Sequence, residues 1–201
     1  MLKKIISLGL FCFAMLANAE EGYETLSPAQ PVQNPNKIEV IEFFWYGCPH
    51  CYHLEPSVVA WLKTKPANVE FIRQPAVFNP MWAKHAKAFF TAEALGVQEK
   101  LHADFFDAIQ NKNQKLATEE ELLKFFVDHG IKEEDFRNAY NSFAVDAKLR
   151  QAESMGTRYG ITGVPALIIN GKYRVSGSTA KTQDNIFAVT NQLIKKESEK
   201  K

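Results

Sequence analysis

The chain has 201 residues, 46% of them hydrophobic and 12% aromatic, enough for one sizeable core or a domain carrying an insertion. Twenty-four Lys and Arg against 23 Asp and Glu leave a formal charge of +1, so nothing points to a nucleic-acid partner. There is no internal repeat, and the Lys/Glu-rich last residues read as a solvated tail.

Residues 1–19 read as an export signal. Lys3 and Lys4 form a basic start, Ile5 to Leu16 an apolar run too short to span a bilayer easily, and Ala17-Asn18-Ala19 a small-residue cleavage pattern. Cleavage after Ala19 would leave a net charge of −1 and place the chain in an exported, oxidising compartment. It would also remove Cys12, one of three cysteines, leaving Cys48 and Cys51 alone. A pair closing so small a loop restrains the unfolded chain little, which argues against a structural staple.

Residues 20–36, rich in Pro, Asn and Gln, read as an extended lead-in. Ile38 to Trp45 is β-branched and aromatic on both faces, the pattern of a strand buried on both sides. Leu54, Val58, Trp61 and Leu62 then recur at helical spacing up to Pro66, and Val69 to Arg73 reads as a second strand, giving a βαβ unit. Asn79-Pro80 offers an N-cap and first-turn proline for a helix that Gly96 stops. Leu101, Phe105, Ala108 and Ile109 mark another, and Thr118 with Glu121 forms a capping box for a third that runs to Gly130. Helical signals continue over Asp135 to Tyr140 and Phe143 to Tyr159. Strand character returns at Ala166 to Asn170, followed by an Asn-Gly turn and Tyr173 to Ser176, a hairpin. An amphipathic helix carrying Ile186, Val189, Leu193 and Ile194 closes the chain. The order is β-α-β, a helical block, then β-β-α; without the block, one sheet with flanking helices remains.

The chemistry concentrates in Gly47-Cys48-Pro49-His50-Cys51, where a strand hands over to a helix. Proline favours the first helical position, which puts Cys48 at the helix start, where free N–H groups and the macrodipole favour an anion such as a thiolate. His50 is close enough to stabilise that sulfur further, whereas Cys51, one turn in, should be more buried and less acidic. Cys48 is then the exposed sulfur that forms a mixed disulfide, and a stabilised thiolate makes the disulfide oxidising. Glu42 shares a strand face with Val40 and Phe44 and is expected to be buried, exchanging a proton with Cys51; the other reading is a strand-end acid with solvent access or a polar partner. Val164-Pro165 stands directly before an apolar strand, which suits a strand start or a cis bend. Beside Cys48, such a proline would keep a backbone N–H away and leave Val164 free to pair with an extended substrate.

Glu42 to Pro56 (EFFWYGCPHCYHLEP) and Gly160 to Tyr173 (GITGVPALIINGKY) together resemble the DsbA family of periplasmic thiol:disulfide oxidoreductases. The resemblance implies an α/β thioredoxin fold with an inserted helical domain: residues 20–79 and 160–201 forming the thioredoxin-like domain and 80–159 the insertion. It implies oxidation of newly exported proteins in the periplasm, no cofactor beyond the Cys48–Cys51 disulfide, and reoxidation by a DsbB-like quinone-linked membrane protein. It carries Cys48 and Cys51 as the redox pair, Pro49 and His50 between them, Val164 and Pro165 as the cis-proline pair, and Glu42 and Glu55 as nearby acids. Gly47 departs from the aromatic residue that some members carry there. An isomerase or reductase is the rival enzyme. A metal-binding module built on Cys48, His50, Cys51 and His53 is the rival of another class, although structural zinc sites usually draw on two separated ligand pairs.

Overall fold

The computed structural model describes residues 22–200, so the expected signal segment lies outside the described residues. A five-stranded sheet has the order β1-β5-β4-β2-β3, formed by β1 (Glu24–Thr25), β2 (Ile38–Phe44), β3 (Val69–Pro75), β4 (Ala166–Ile169) and β5 (Tyr173–Ser176). Every residue of β2 is buried, as the sequence pattern requires of a central strand. β2 and β3 run parallel, joined through α1 (Pro49–Leu62), while β4 and β5 are antiparallel additions on the other side of β2. The β4–β5 turn is tight because Asn170 and Gly171 both adopt positive φ, 51° and 66°.

α1 and the last helix, α7 (Ile186–Ser198), cover one face of the sheet. Val40, Leu54, Val58, Leu167, Ile186 and Leu193 share that layer. Ile41, Phe43 and Ile168 point the other way, onto Met155, Tyr159 and Ile161. Between β3 and β4 stand five helices: α2 (Pro80–Ala94), α3 (Gln98–Gln110), α4 (Glu119–Asp128), α5 (Glu133–Tyr140) and α6 (Phe143–Arg158). Their starts follow the sequence signals. The Asn79 side chain accepts from the backbone of Met81 and Trp82 ahead of Pro80, and Thr118 and Glu121 form the reciprocal capping box.

The lead-in differs from the sequence expectation. Glu24–Thr25 pairs antiparallel with β5 as an edge strand, and the Glu24 carboxylate holds Arg174. Two residues show no alternation, so no periodicity announced this strand. β2 also stops one residue short of Trp45, whose indole leaves the ladder to donate to His85 Nδ1 at 3.0 Å.

Candidate active site

The helical block and the sheet share a core at the C-terminal end of β2, where Phe44 and Tyr46 pack with Phe89, Phe105 and Phe106; Cys48 and Cys51 lie in the same cluster. Cys48 is the N-cap of α1 with Pro49 at the first turn, and its Sγ accepts the Cys51 backbone N–H at 3.4 Å. A sulfur therefore occupies the place that a Ser or Asp oxygen fills in an ordinary cap. The two sulfurs are not bonded to each other, so the geometry is that of the dithiol.

Cys48 is 8% exposed and Cys51 1%. The ordering is as expected, but Cys48 is not openly exposed; it reaches solvent through a small window. Its pKa is lowered to about 6. The hydrogen bond from the Cys51 thiol is the largest cause, burial opposes it, and the backbone N–H groups of Cys51 and His50 add to it ahead of the His50 side chain. The partner thiol, which the sequence reading had not counted, leads, and the helix start outweighs the His50 side chain, as that reading ordered them. Cys51 is pushed far above the thiol range, chiefly by burial and then by its hydrogen bond to Cys48. The pair is strongly asymmetric.

Glu42 is 1% exposed in mid-strand, which disposes of the strand-end reading with solvent access. Its pKa is raised to about 8 by burial, against the pull of Arg73, with Glu55 adding to the rise. Near neutrality it is mostly a protonated acid behind the redox helix. Glu55 goes the other way: burial opposes its charge, but the hydrogen-bonded His102–Arg73 pair beside it, with His102 Nε2 3.5 Å from its Oε2 and the full positive charge on the Arg73 guanidinium, holds it below the usual carboxylate range.

The Val164–Pro165 bond is cis and lies beside the dithiol, with Cys48 Sγ 3.5 Å from the Val164 carbonyl oxygen. A groove of about 460 Å³ opens there, between residues 162–166 and the segment after β5, with His50 at its head. The Gln183 side chain donates to the His50 carbonyl and ties that segment to α1. Gly47 now has a reason. The Trp45 ring, stacked on Trp82 with centroids 4.3 Å apart, folds back so closely that any Cβ at Gly47 would overlap it.

Sequence reasoning gave Cys48, Pro49, His50, Cys51, Glu42, Glu55, Val164 and Pro165, and all of these gather at one end of the sheet. It missed Arg73, Tyr46 and two of the three histidines of the block. His85 and His102 are packed in the core, 3% and 4% exposed, and are hydrogen-bonded on both ring nitrogens. Their only sequence signal was a polar residue on an otherwise apolar helix face. His53 is exposed, and among the described residues no three His, Cys, Asp or Glu side chains converge to hold a metal.

An asymmetric dithiol at the first turn of a helix, on a thioredoxin-type sheet and beside a cis-proline, defines a thiol:disulfide oxidoreductase. The comparisons narrow the class. A family model described as a DSBA-like thioredoxin domain matches residues 39–186. The thiol:disulfide interchange protein DsbA of Pseudomonas aeruginosa is 41% identical over 190 residues, covering 92% of this chain and 90% of that one. The protein of that name from Azotobacter vinelandii is 45% identical over 175 residues, covering 87% and 82%. The crystal structure of Pseudomonas aeruginosa DsbA superposes with a TM-score of 0.85 at 42% identity, over 90% of this chain and 95% of that one. The chain belongs to the DsbA family, with its thioredoxin fold and thiol–disulfide oxidoreductase activity.

Proposed function

We propose that this protein is a periplasmic disulfide oxidase, exported on a signal cleaved after Ala19, that gives its Cys48–Cys51 disulfide to cysteines of newly exported proteins. The observation that carries this reading is the Cys48 sulfur capping α1 with a pKa lowered to about 6, while Cys51 behind it is held as a thiol. A substrate thiolate attacks Cys48 Sγ, the Cys48–Cys51 bond breaks, and Cys51 departs and takes a proton from Glu42. A second substrate thiolate then attacks the substrate sulfur of the mixed disulfide, and Cys48 leaves as a thiolate. The substrate loses two electrons and two thiol protons, one of which makes good the proton Glu42 gave up while the other goes to solvent, and the protein is left reduced, with Cys51 a thiol and Cys48 a thiolate. Val164 and Pro165 offer backbone beside the exchanging sulfur for an extended substrate to pair with, and the groove next to it gives the substrate chain a place to lie.

Return to the disulfide needs an acceptor for two electrons; a DsbB-like quinone-linked membrane protein fills that role in this reading. The oxidase direction is favoured over isomerase or reductase because a stabilised Cys48 thiolate pulls electrons out of the substrate. The test is oxidation of a reduced, unfolded model protein by stoichiometric disulfide form, followed by trapping. Wild type should transfer its disulfide; Cys51→Ala, loaded beforehand with glutathione on Cys48 by oxidised glutathione, should exchange that glutathione for a substrate cysteine and hold it as a mixed disulfide on Cys48; and Cys48→Ser should do neither. Mixed disulfides on Cys51 instead would overturn the assignment.

A further inference from the structure

Behind the redox helix, Arg73, Glu55, His102 and Tyr46 complete a buried polar network that the exchange steps above do not use. Arg73 stands opposite Glu42 in the β2–β3 register, and its Nε lies 3.9 Å from Glu42 Oε2, an oxygen with no hydrogen-bond partner. The Nε–H nevertheless turns away from that carboxyl. It donates to His102 Nε2 at 2.9 Å, while the NH2 group of the same guanidinium donates to Glu55. An imidazole that accepts at Nε2 is neutral and carries its proton on Nδ1. Nδ1 has its own partner, the Tyr46 hydroxyl, at 2.9 Å. A charged imidazole would set N–H against N–H here, and burial, opposed by Glu55, lowers the His102 pKa and keeps the ring neutral.

We propose that His102, on α3 of the helical block, is a positioning residue for proton exchange at Cys51: by taking the Arg73 Nε–H it keeps the guanidinium from closing on Glu42. This rests on the reading of Glu42 as the proton carrier. A buried Nε–H must find an acceptor, and without His102 the unpaired Glu42 Oε2, 3.9 Å away, is open to it, while Glu55 already accepts from the NH2 group of the same guanidinium. A direct Arg–carboxylate pair would hold Glu42 charged. A charged Glu42 has no proton to hand to the departing Cys51. His102 therefore keeps Glu42 an acid at neutral pH, and Tyr46 keeps the imidazole in the accepting tautomer.

The titratable groups that face Glu42 are Cys51 and Glu55 on α1, Arg73 on β3 and Tyr46 after β2. Those that face His102 are Arg73, Glu55, Tyr46 and, on its own helix, Glu99, with Lys63 across the adjoining cleft. The test uses the mature chain as its disulfide. The rate of attack by a reduced cysteine peptide, corrected for the fraction of peptide thiolate, is followed from acid to alkaline pH. In the wild type it should fall with a midpoint near 8 as Glu42 loses its proton. His102→Leu should bring that midpoint down by at least about one unit, the effect of an opposite charge moved into contact. His102→Gln, whose amide oxygen accepts the Nε–H, should restore it. The Cys48 thiolate titration of the dithiol should be the same in all three. Tyr46→Phe removes the partner at Nδ1 and should shift the midpoint the same way by less, which keeps the test decisive if His102→Leu does not fold. If Glu42→Gln abolishes the pH step while His102→Leu, or Tyr46→Phe in its place, leaves the midpoint unmoved, the role of His102 is refuted and that of Glu42 stands. If Glu42→Gln leaves the step intact, the Glu42 reading fails and the proposal with it.

Discussion

At the scale of single residues the site is a set of opposed environments a few ångströms apart. Cys48 meets N–H and S–H donors, Cys51 meets burial, Glu42 is buried against one distant cation, and Glu55 is paired outright. The ranking of causes at Cys48 gives an ordered prediction. Cys51→Ala, which removes the largest, should raise the Cys48 pKa more than His50→Tyr does, read by ultraviolet thiolate absorbance against pH. Each unit of rise is worth about 1.4 kcal/mol, or about 30 mV of oxidising power in a two-electron couple. His50→Tyr should still make the disulfide less oxidising; an unchanged glutathione equilibrium would remove His50 from the tuning altogether. A depressed Cys48 pKa also stabilises the folded dithiol over the folded disulfide. That stabilisation is full above the unfolded thiol pKa and is lost as pH falls through about 6, so the stability gap should widen by roughly 2–3 kcal/mol between about pH 5 and pH 8. Glu42 is present in both forms, so to first order its own titration cancels from the comparison. Gly47→Ala should cost about 1–3 kcal/mol in denaturant unfolding, since the methyl must displace the Trp45 ring.

At the scale of elements, α1 owes its position to its first residues and α7 to one of its last. Glu197, 2% exposed on α7, accepts from Asn170, Lys172 and Tyr173 across the hairpin. Burial opposes its charge, but Lys172, Asn170 and Lys200 hold its pKa at about 2. The sign follows: the pair stabilises the fold above the ordinary carboxylate pKa, and the gain disappears as pH falls from about 4.5 to 2. Glu197→Gln should therefore lose about 1–3 kcal/mol at pH near 7, discounted for the exposed lysines, with the difference from wild type shrinking toward pH ~2 in denaturant titrations. The helices and central strands were legible in the sequence because each carries local information: Pro49 and Pro80 at first turns, the Thr118–Glu121 box, and the apolar run of β2. β1 was not, since two residues paired by a distant hairpin have no period of their own.

At the scale of the whole molecule, the helical block and the sheet meet at the dithiol, and the core they share includes both cysteines. What the sequence left unread lies across that junction. His102 reaches Arg73 from a different part of the chain, and Trp45 leaves its strand for His85, so neither contact shows in a local pattern. Cys48 and Cys51 were readable because their spacing and residue type constrain their chemistry, and Pro165 only in partnership with that motif, through the family resemblance the two stretches carry together. The oxidase function depends on one property: folding stabilises the Cys48 thiolate enough to make the disulfide an oxidant. Equilibrium with a glutathione redox buffer measures this directly. A reduction potential far more oxidising than the roughly −270 mV of thioredoxin is the result expected, and a value close to that of thioredoxin would contradict the account.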